Sequence, residues 1–265
     1  MIKFFRNIRK NLINDEPSVA LAKGGGKTTN YLKYAIGEII LVVIGILIAL
    51  AINNWNQNRI KNLQERDDLQ NLKVELQSNI SDFTSLDSLY ATFERSTADG
   101  LRIFNNNPKV EDFRQIDTLV VTRLKVFPLT TSTYDEMLNT GKFYNLKNKT
   151  LKTKITQFYS QADNYSLAFL EINKEVLKMM NHPDLYTYEL LLNRLRKEPV
   201  NIKDIDTTWV HNVNAPTYLA FYKKANYVQE YSNTARRDLM ATQIIVCKEL
   251  VVSIDTELEN KKIMN

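Results

Sequence analysis

Residues Ile39 to Ile52 read IILVVIGILIALAI, fourteen in a row without a polar side chain. Ala35, Ile36 and Gly37 lead into the run with only Glu38 interrupting. The apolar segment therefore covers 18 residues, about 27 Å of helix at 1.5 Å per residue. A bilayer core of roughly 30 Å asks for about 20 such residues. Tyr31 and Tyr34 before the run and Trp55 after it supply amphipathic ends at the depth of the aromatic belts. Glu38 is tolerable in the first turn, close to the headgroups and beside the positive end of the helix dipole. The stretch predicts one transmembrane helix over residues 34–55, a leader over 1–33 and a soluble domain over 56–265.

Charge orients the span. Residues 1–33 carry seven basic side chains against Asp15 and Glu16, which accounts for the whole net charge of +5. Beyond Glu38 the chain holds 28 basic and 27 acidic residues, so the basic balance belongs to the leader and offers no argument for nucleic acid. The positive-inside rule keeps the leader in the cytoplasm and translocates everything after Trp55. Residues 1–13 place Ile2, Phe5, Ile8 and Leu12 at helical spacing opposite Lys3, Arg6, Arg9 and Lys10. Such a helix either lies on the anionic leaflet or merely orients the span. Ala20 to Asn30 reads as a flexible linker. Its GKT (Gly26 to Thr28) imitates the end of a phosphate-binding loop, but the earlier glycine is replaced by Leu21 and no strand leads in, so no nucleotide is expected. Ala49-Leu50-Ala51 imitates a signal-peptidase site, yet the run lies too far from the start and continues past it. Gly45 and Ala49 form a small-x-x-x-small pair through which two spans could approach.

Seven glycines and six prolines in 265 residues are few for a β protein, which points to helix. A single cysteine, Cys247, excludes an intramolecular disulfide. Lying in IIVCKELVV, it reads as a buried structural thiol. Leu69, Leu72, Leu76, Ile80, Phe83, Leu86, Tyr90 and Phe93 recur three or four residues apart, with no proline or glycine from Asn53 to Asp99. The span is therefore expected to continue as helix until about Gly100 to Pro108. Residues 111–127 stay ambiguous: Asp112 can cap a helix facing inward through Ile116, Leu119, Val120 and Leu124, whereas VVTRLKVF has strand composition. Helix is favoured there. Thr133 and Glu136 have capping-box spacing for a short helix stopped by Gly141. Asn148 caps the cleanest pattern, Leu151, Ile155, Phe158, Ala162, Tyr165, Phe169, Ile172, Val176 and Met179, whose alternating steps of four and three make a heptad seam. His182-Pro183 ends it, and Asp184 caps a shorter helix to about Lys197. Pro216 opens a last helix to about Glu259, with Tyr218, Phe221, Tyr222, Val228, Tyr231, Ala235, Leu239, Val246, Leu250 and Ile254 as its apolar positions. The fold class that follows is all-α, one transmembrane helix continuing into an elongated antiparallel helical bundle.

No catalytic, cofactor-binding or metal-binding residue is assigned. His182 and His211 are far apart in sequence from each other and from Cys247, and no zinc-ligand, nucleophile-elbow or dinucleotide motif occurs. Asp67-Asp68, Asp135-Glu136 and Asp204/Asp206 read as solvated or capping carboxylates. The aromatic group Tyr218, Phe221, Tyr222, Tyr227 and Tyr231 reads as core before it reads as a ligand pocket.

The anchor, Tyr34-Ala35-Ile36-Gly37-Glu38-Ile39 through Val42 to Leu50 and on to Ile52-Asn53-Asn54-Trp55-Asn56, resembles a bacterial family of single-pass membrane proteins classed as a domain of unknown function, DUF6090. Ser132 to Met137 and Asn148 to Tyr159 also resemble that family's soluble part, with looser similarity in the last helix. Ala51 departs from the polar residue more usual there, and GGGKTT looks like an insertion. The resemblance implies the envelope of a double-membraned bacterium and carries no functional residues.

Together these readings predict a non-enzymatic, inner-membrane-anchored envelope protein. Its periplasmic bundle would mediate protein–protein interaction or assembly, with the lipid bilayer and a protein partner or a second copy as partners, and neither nucleic acid nor nucleotide. The alternative is a periplasmic ligand-sensing module signalling through a separate partner, since about 33 residues precede the span.

Overall fold

A computed structural model of the protein describes residues 26–186, 188, 203 and 205–263. The chain divides into two compact units, Met1–Arg59 and Ile60–Asn265. The amphipathic leader over 1–13, most of the glycine-rich linker and the helix expected to reach Lys197 lie outside the described residues. Helix α1 (Gly26–Phe104) opens within the expected linker, so Gly26 to Asn30 are helical and not loop. A helix already formed grows by one hydrogen bond per added residue, and no proline stands in its way here.

In the first unit every residue from Ala35 to Ile52 is exposed. Among the described residues α1 is the one helix long and apolar enough to cross a membrane. Just past the run, the Arg59 guanidinium lies 5.8 Å from the Trp55 ring centroid, a cation–π contact that holds the indole at the edge of the apolar segment.

In the second unit the remaining elements are α2 (Asp112–Leu119), α3 (Ser132–Asn139), α4 (Lys149–Met180), α5 (Pro216–Tyr227), a π-helical segment Val228–Thr234 and α6 (Ala235–Ile263), with 3-10 turns at Phe143–Asn145, Pro183–Leu185 and Thr208–His211. No strand occurs among the described residues. The main core joins Leu69, Leu72, Leu76, Phe83 and Tyr90 of α1 to the seam of α4 and to Met240, Cys247, Leu250, Ile254 and Leu258 of α6. The heptad seam holds: Leu151, Ile155, Phe158, Ala162, Phe169 and Val176 are buried, and Tyr165, Ile172 and Met179 half-buried. Asn148 caps α4 by accepting the Leu151 N–H at 3.0 Å, which satisfies one of the orphan donors of the first turn.

Polar pairs fix which residues meet. From α1 to α6, Lys73 pairs with Asp255 at 2.6 Å, and Arg237 pairs with Glu94 and, at 3.1 Å, with Asp87. Lys261 pairs with Glu65 at 2.8 Å and with Glu257 at 3.2 Å. From α4 to α6, Asn148 donates to Glu257 at 2.8 Å, Lys154 to Ser253 at 2.9 Å, and Arg236 to Asn173 at 2.5 Å. A second cluster gathers Phe104, Phe113, Ile116, Val120, Tyr188, Trp209 and Phe221. Gly100 is needed beneath it, because a Cβ there would meet Leu119 Cβ and Val120 Cγ2 at 3.0 Å.

Four expectations are corrected. Residues 111–127 are helix only over Asp112–Leu119, with Phe113 and Ile116 inward. From Val121 to Thr131 the chain has no helix, turn or bend, and Leu124 is 42 % exposed. The capping box at Thr133 does not form, because α3 starts at Ser132 and its N-cap Thr131 makes no side-chain cap. Its stop is as expected, with Asn139 the last helical residue and Gly141 at φ +76°. Asp184 does not cap the following turn; His182 does, accepting the Asp184 N–H at 3.3 Å. The last helix is interrupted at Val228–Thr234 by π geometry, which changes the residues that face inward in and just after it. Tyr231 is consequently 59 % exposed, while Ser232, Asn233, Arg236, Met240 and Gln243 are buried.

Candidate functional site

The most distinctive chemistry of the second unit is a buried polar layer around the extended segment. A segment outside any helix or sheet has backbone groups that no regular neighbour satisfies, and burying them unpaired is costly. Side chains from three directions take that role. Ser96 donates to the Leu119 carbonyl at 2.9 Å. Asn233 donates to the Val121 carbonyl at 3.1 Å, and Thr97 both donates to that carbonyl at 3.2 Å and accepts the Val121 N–H at 3.3 Å. Tyr90 and Arg236 donate to the Arg123 carbonyl at 2.7 and 3.1 Å, and Asn173 to the Lys125 carbonyl at 3.0 Å. Within the segment the recipients Val121, Arg123 and Lys125 are alternate residues, the period of an extended chain.

Arg236 is the hub. It is fully buried, and its Nη1 also donates to Tyr90 Oη at 2.9 Å and to Ser232 Oγ at 3.0 Å. The guanidinium lies 5.1 Å from the Tyr90 ring centroid and 5.3 Å from that of Phe169. Among the described residues no carboxylate pairs with it. Burial lowers its pKa from the ordinary arginine value, and the same burial raises that of the Tyr90 phenol. Arg236 Nε, Asn233 Oδ1 and Gln229 Oε1 have no partner among the described residues. The π turn makes the layer possible, since the extra residue per turn brings both Ser232 and Asn233 inward.

A second clamp holds the far end of the segment. Asn79 donates to the Thr130 carbonyl at 2.9 Å and accepts the Thr130 N–H at 2.8 Å, reproducing with one side chain the pair of bonds that a neighbouring strand would make. One turn earlier, Glu75 accepts the Thr133 N–H at 2.5 Å, the Ser132 hydroxyl at 3.2 Å and the Tyr159 hydroxyl at 2.5 Å. It therefore caps α3 from across the core, in place of the local box, with a carboxylate at the positive end of the helix. Burial, then the bond to Glu75, keeps the Tyr159 phenol protonated well above its ordinary range.

The residues weighed from sequence are not brought together. Cys247 is buried, donates to the Leu76 carbonyl at 3.3 Å, and has its thiol pushed up to about 12 by burial. His182 and His211 are exposed. Asp68 and Glu136 both pair with Lys142 at 3.1 Å, and Asp135 accepts from the Thr131 hydroxyl at 2.7 Å. Asp206 accepts the Thr208 N–H at 2.9 Å and hydroxyl at 2.6 Å, and these bonds lower its pKa. Asp204 lies outside the described residues. Phe221 is core and Tyr218 half-buried, whereas Tyr222 is 44 % exposed and Tyr227 stacks on Tyr231 at 5.1 Å near the surface. Among the described residues no group of three or more His, Cys, Asp or Glu side chains could hold a metal ion.

Glu75, Asn79 and Arg236 were not singled out from sequence, although a signal was present. Leu72, Leu76, Asn79 and Phe83 step by four, three and four, as do Arg236, Met240, Gln243, Cys247 and Leu250. A polar side chain at a seam position marks a buried polar contact.

No curated protein and no solved structure matches the chain. The family comparison takes in the apolar run from Glu38, the extended segment with both its clamps on α1, and all of α4, and stops before α5. Residues 38–206, more than half of the chain, match the family of unknown function DUF6090, and the chain belongs to that family.

Proposed function

We propose that the protein is a non-enzymatic, membrane-anchored envelope protein whose soluble part is an antiparallel helical bundle that binds a protein partner. The observation that carries this reading is the exposure of every residue from Ala35 to Ile52 in a chain whose other long apolar stripes are covered. Its twelve Ile, Leu and Val side chains favour insertion by roughly 4 to 7 kcal/mol on the biological scale. The bundle assignment draws support from the pairings Glu65–Lys261, Lys73–Asp255 and Glu94–Arg237, in which position numbers fall on α6 as they rise on α1. The buried polar groups are engaged in holding backbone, which supports a scaffold more than a reaction centre. The basic leader supports an amino terminus in the cytoplasm and a bundle in the periplasm of a double-membraned bacterium.

The sensing alternative has one point in its favour: π turns recur at functional sites, and this one leaves Arg236 Nε and Asn233 Oδ1 unpaired. Membrane fractionation and in-cell crosslinking test the main reading. The chain is expected to stay with membranes through a high-salt wash and to crosslink to a distinct protein. Release by salt, or crosslinking to nothing, overturns it.

A further inference from the structure

The extended segment has a second edge. Val121, Arg123 and Lys125 turn their carbonyls inward onto side chains of α1, α4, the π segment and α6. In an extended chain neighbouring residues direct their N–H and C=O groups to opposite sides. Thr122, Leu124 and Val126 therefore turn theirs outward, and among the described residues none of those backbone groups is hydrogen-bonded. Their surroundings are open: Leu124 is 42 % and Val126 68 % exposed. Arg123 and Lys125 are also exposed, and neither pairs with a carboxylate among the described residues. The segment thus has one edge clamped by its own protein and the other presenting donors and acceptors unpaired among the described residues, the arrangement that recruits an added strand.

We propose that residues 121–126 are a docking edge for one extended segment of a partner protein, acidic at alternate positions, which adds by β-augmentation. Between Asp117 and Asp135 the only charges are Arg123 and Lys125, two residues apart and so on one face of the strand. Acidic residues at every second position of an incoming strand sit opposite them, while its intervening apolar residues meet Leu124 and Val126. A second copy is disfavoured on the same ground. Antiparallel pairing about Leu124 would set Arg123 of one chain against Lys125 of the other, and like charges directly opposite are destabilising. This inference rests on the interaction reading above and identifies its surface.

The test uses the full-length chain in detergent and a fluorescein-labelled peptide of alternating glutamate and valine. Controls are the same composition with the glutamates grouped, and the alternating peptide N-methylated on its ladder amides. The alternating peptide alone is expected to bind, more weakly at high salt. Leu124→Pro removes an outward N–H that has no partner among the described residues. The double change R123E/K125E reverses the charge. Each is expected to weaken binding by roughly tenfold or more while the helical melting temperature stays unchanged. Failure of the wild-type chain to bind, or equal binding by both variants, overturns the docking edge. So does a Val126→Cys chain that crosslinks to itself and is not competed by peptide, which would make a second copy the occupant. A partner that crosslinks in cells to wild type and Leu124→Pro alike overturns the edge while the interaction reading stands.

Discussion

A carboxylate at position 75 that serves three donors from two other elements is worth more than any exposed ion pair of the chain. Glu75 is 5 % exposed, and removing it leaves the buried Tyr159 hydroxyl, the N–H of half-buried Thr133 and the exposed Ser132 hydroxyl without that acceptor. Glu75→Ala is expected to cost roughly 2 to 4 kcal/mol in chemical denaturation. Glu75→Gln keeps one acceptor oxygen and should lose clearly less; an equal loss in the two variants would mean that packing, and not the cap, is what the residue supplies. Cys247 allows a second test. Its thiol is raised by burial from an ordinary 9.0 to about 12, so the native chain should resist thiol reagents at pH 8 and react only on unfolding. The sign of the linkage follows: between pH about 9 and 12 the folded thiol keeps a proton that the unfolded one has released. Its contribution to stability is therefore complete below that window and declines as pH rises through it. Denaturation curves of wild type and Cys247→Ala over that range should converge or cross.

Among the elements, α4 and the extended segment show opposite relations between pattern and structure. The α4 seam was readable because a buried helix face repeats with the helix itself, and the residues that fill it are apolar for a reason local to that face. Phe158→Ala and Phe169→Ala, both fully buried, are expected to lower stability by about 3 to 5 kcal/mol each. Leu167→Ala, 61 % exposed, should change it little. Comparable losses at Leu167 and Phe158 in thermal melts would show that the seam is not the core. The stretch VVTRLKVF (120–127) has the composition of a strand but forms none, and the neighbours of segment 121–131 are the side chains of Asn79, Tyr90, Thr97, Asn173, Asn233 and Arg236 from distant parts of the chain. Periodicity carries no information about such partners. The π segment defeated the reading of the last helix for a related reason. One extra residue in a turn leaves the composition helical and shifts the register locally, so Tyr231 was expected inside and Arg236 was not, while Leu250 and Ile254 are buried as expected.

At the scale of the whole chain the expectation to test is topology. A periplasm-dependent reporter joined after Asn265 should be active, and one active only in the cytoplasm should be silent there; the reverse pattern would invert the assignment made from the basic leader. The helical class, the apolar run at 35–52, the α4 seam with its Asn148 cap and the stop at Gly141 were all legible in the sequence. Each depends on residues within a few turns of one another, where spacing and side-chain chemistry suffice. The cap of α3 by Glu75, the clamp of Thr130 by Asn79, and Arg236 buried with no acid partner among the described residues were decided only by the tertiary structure. Each joins positions 50 or more residues apart, and a buried polar side chain is stable only if its partners converge in three dimensions, a condition that no local pattern encodes.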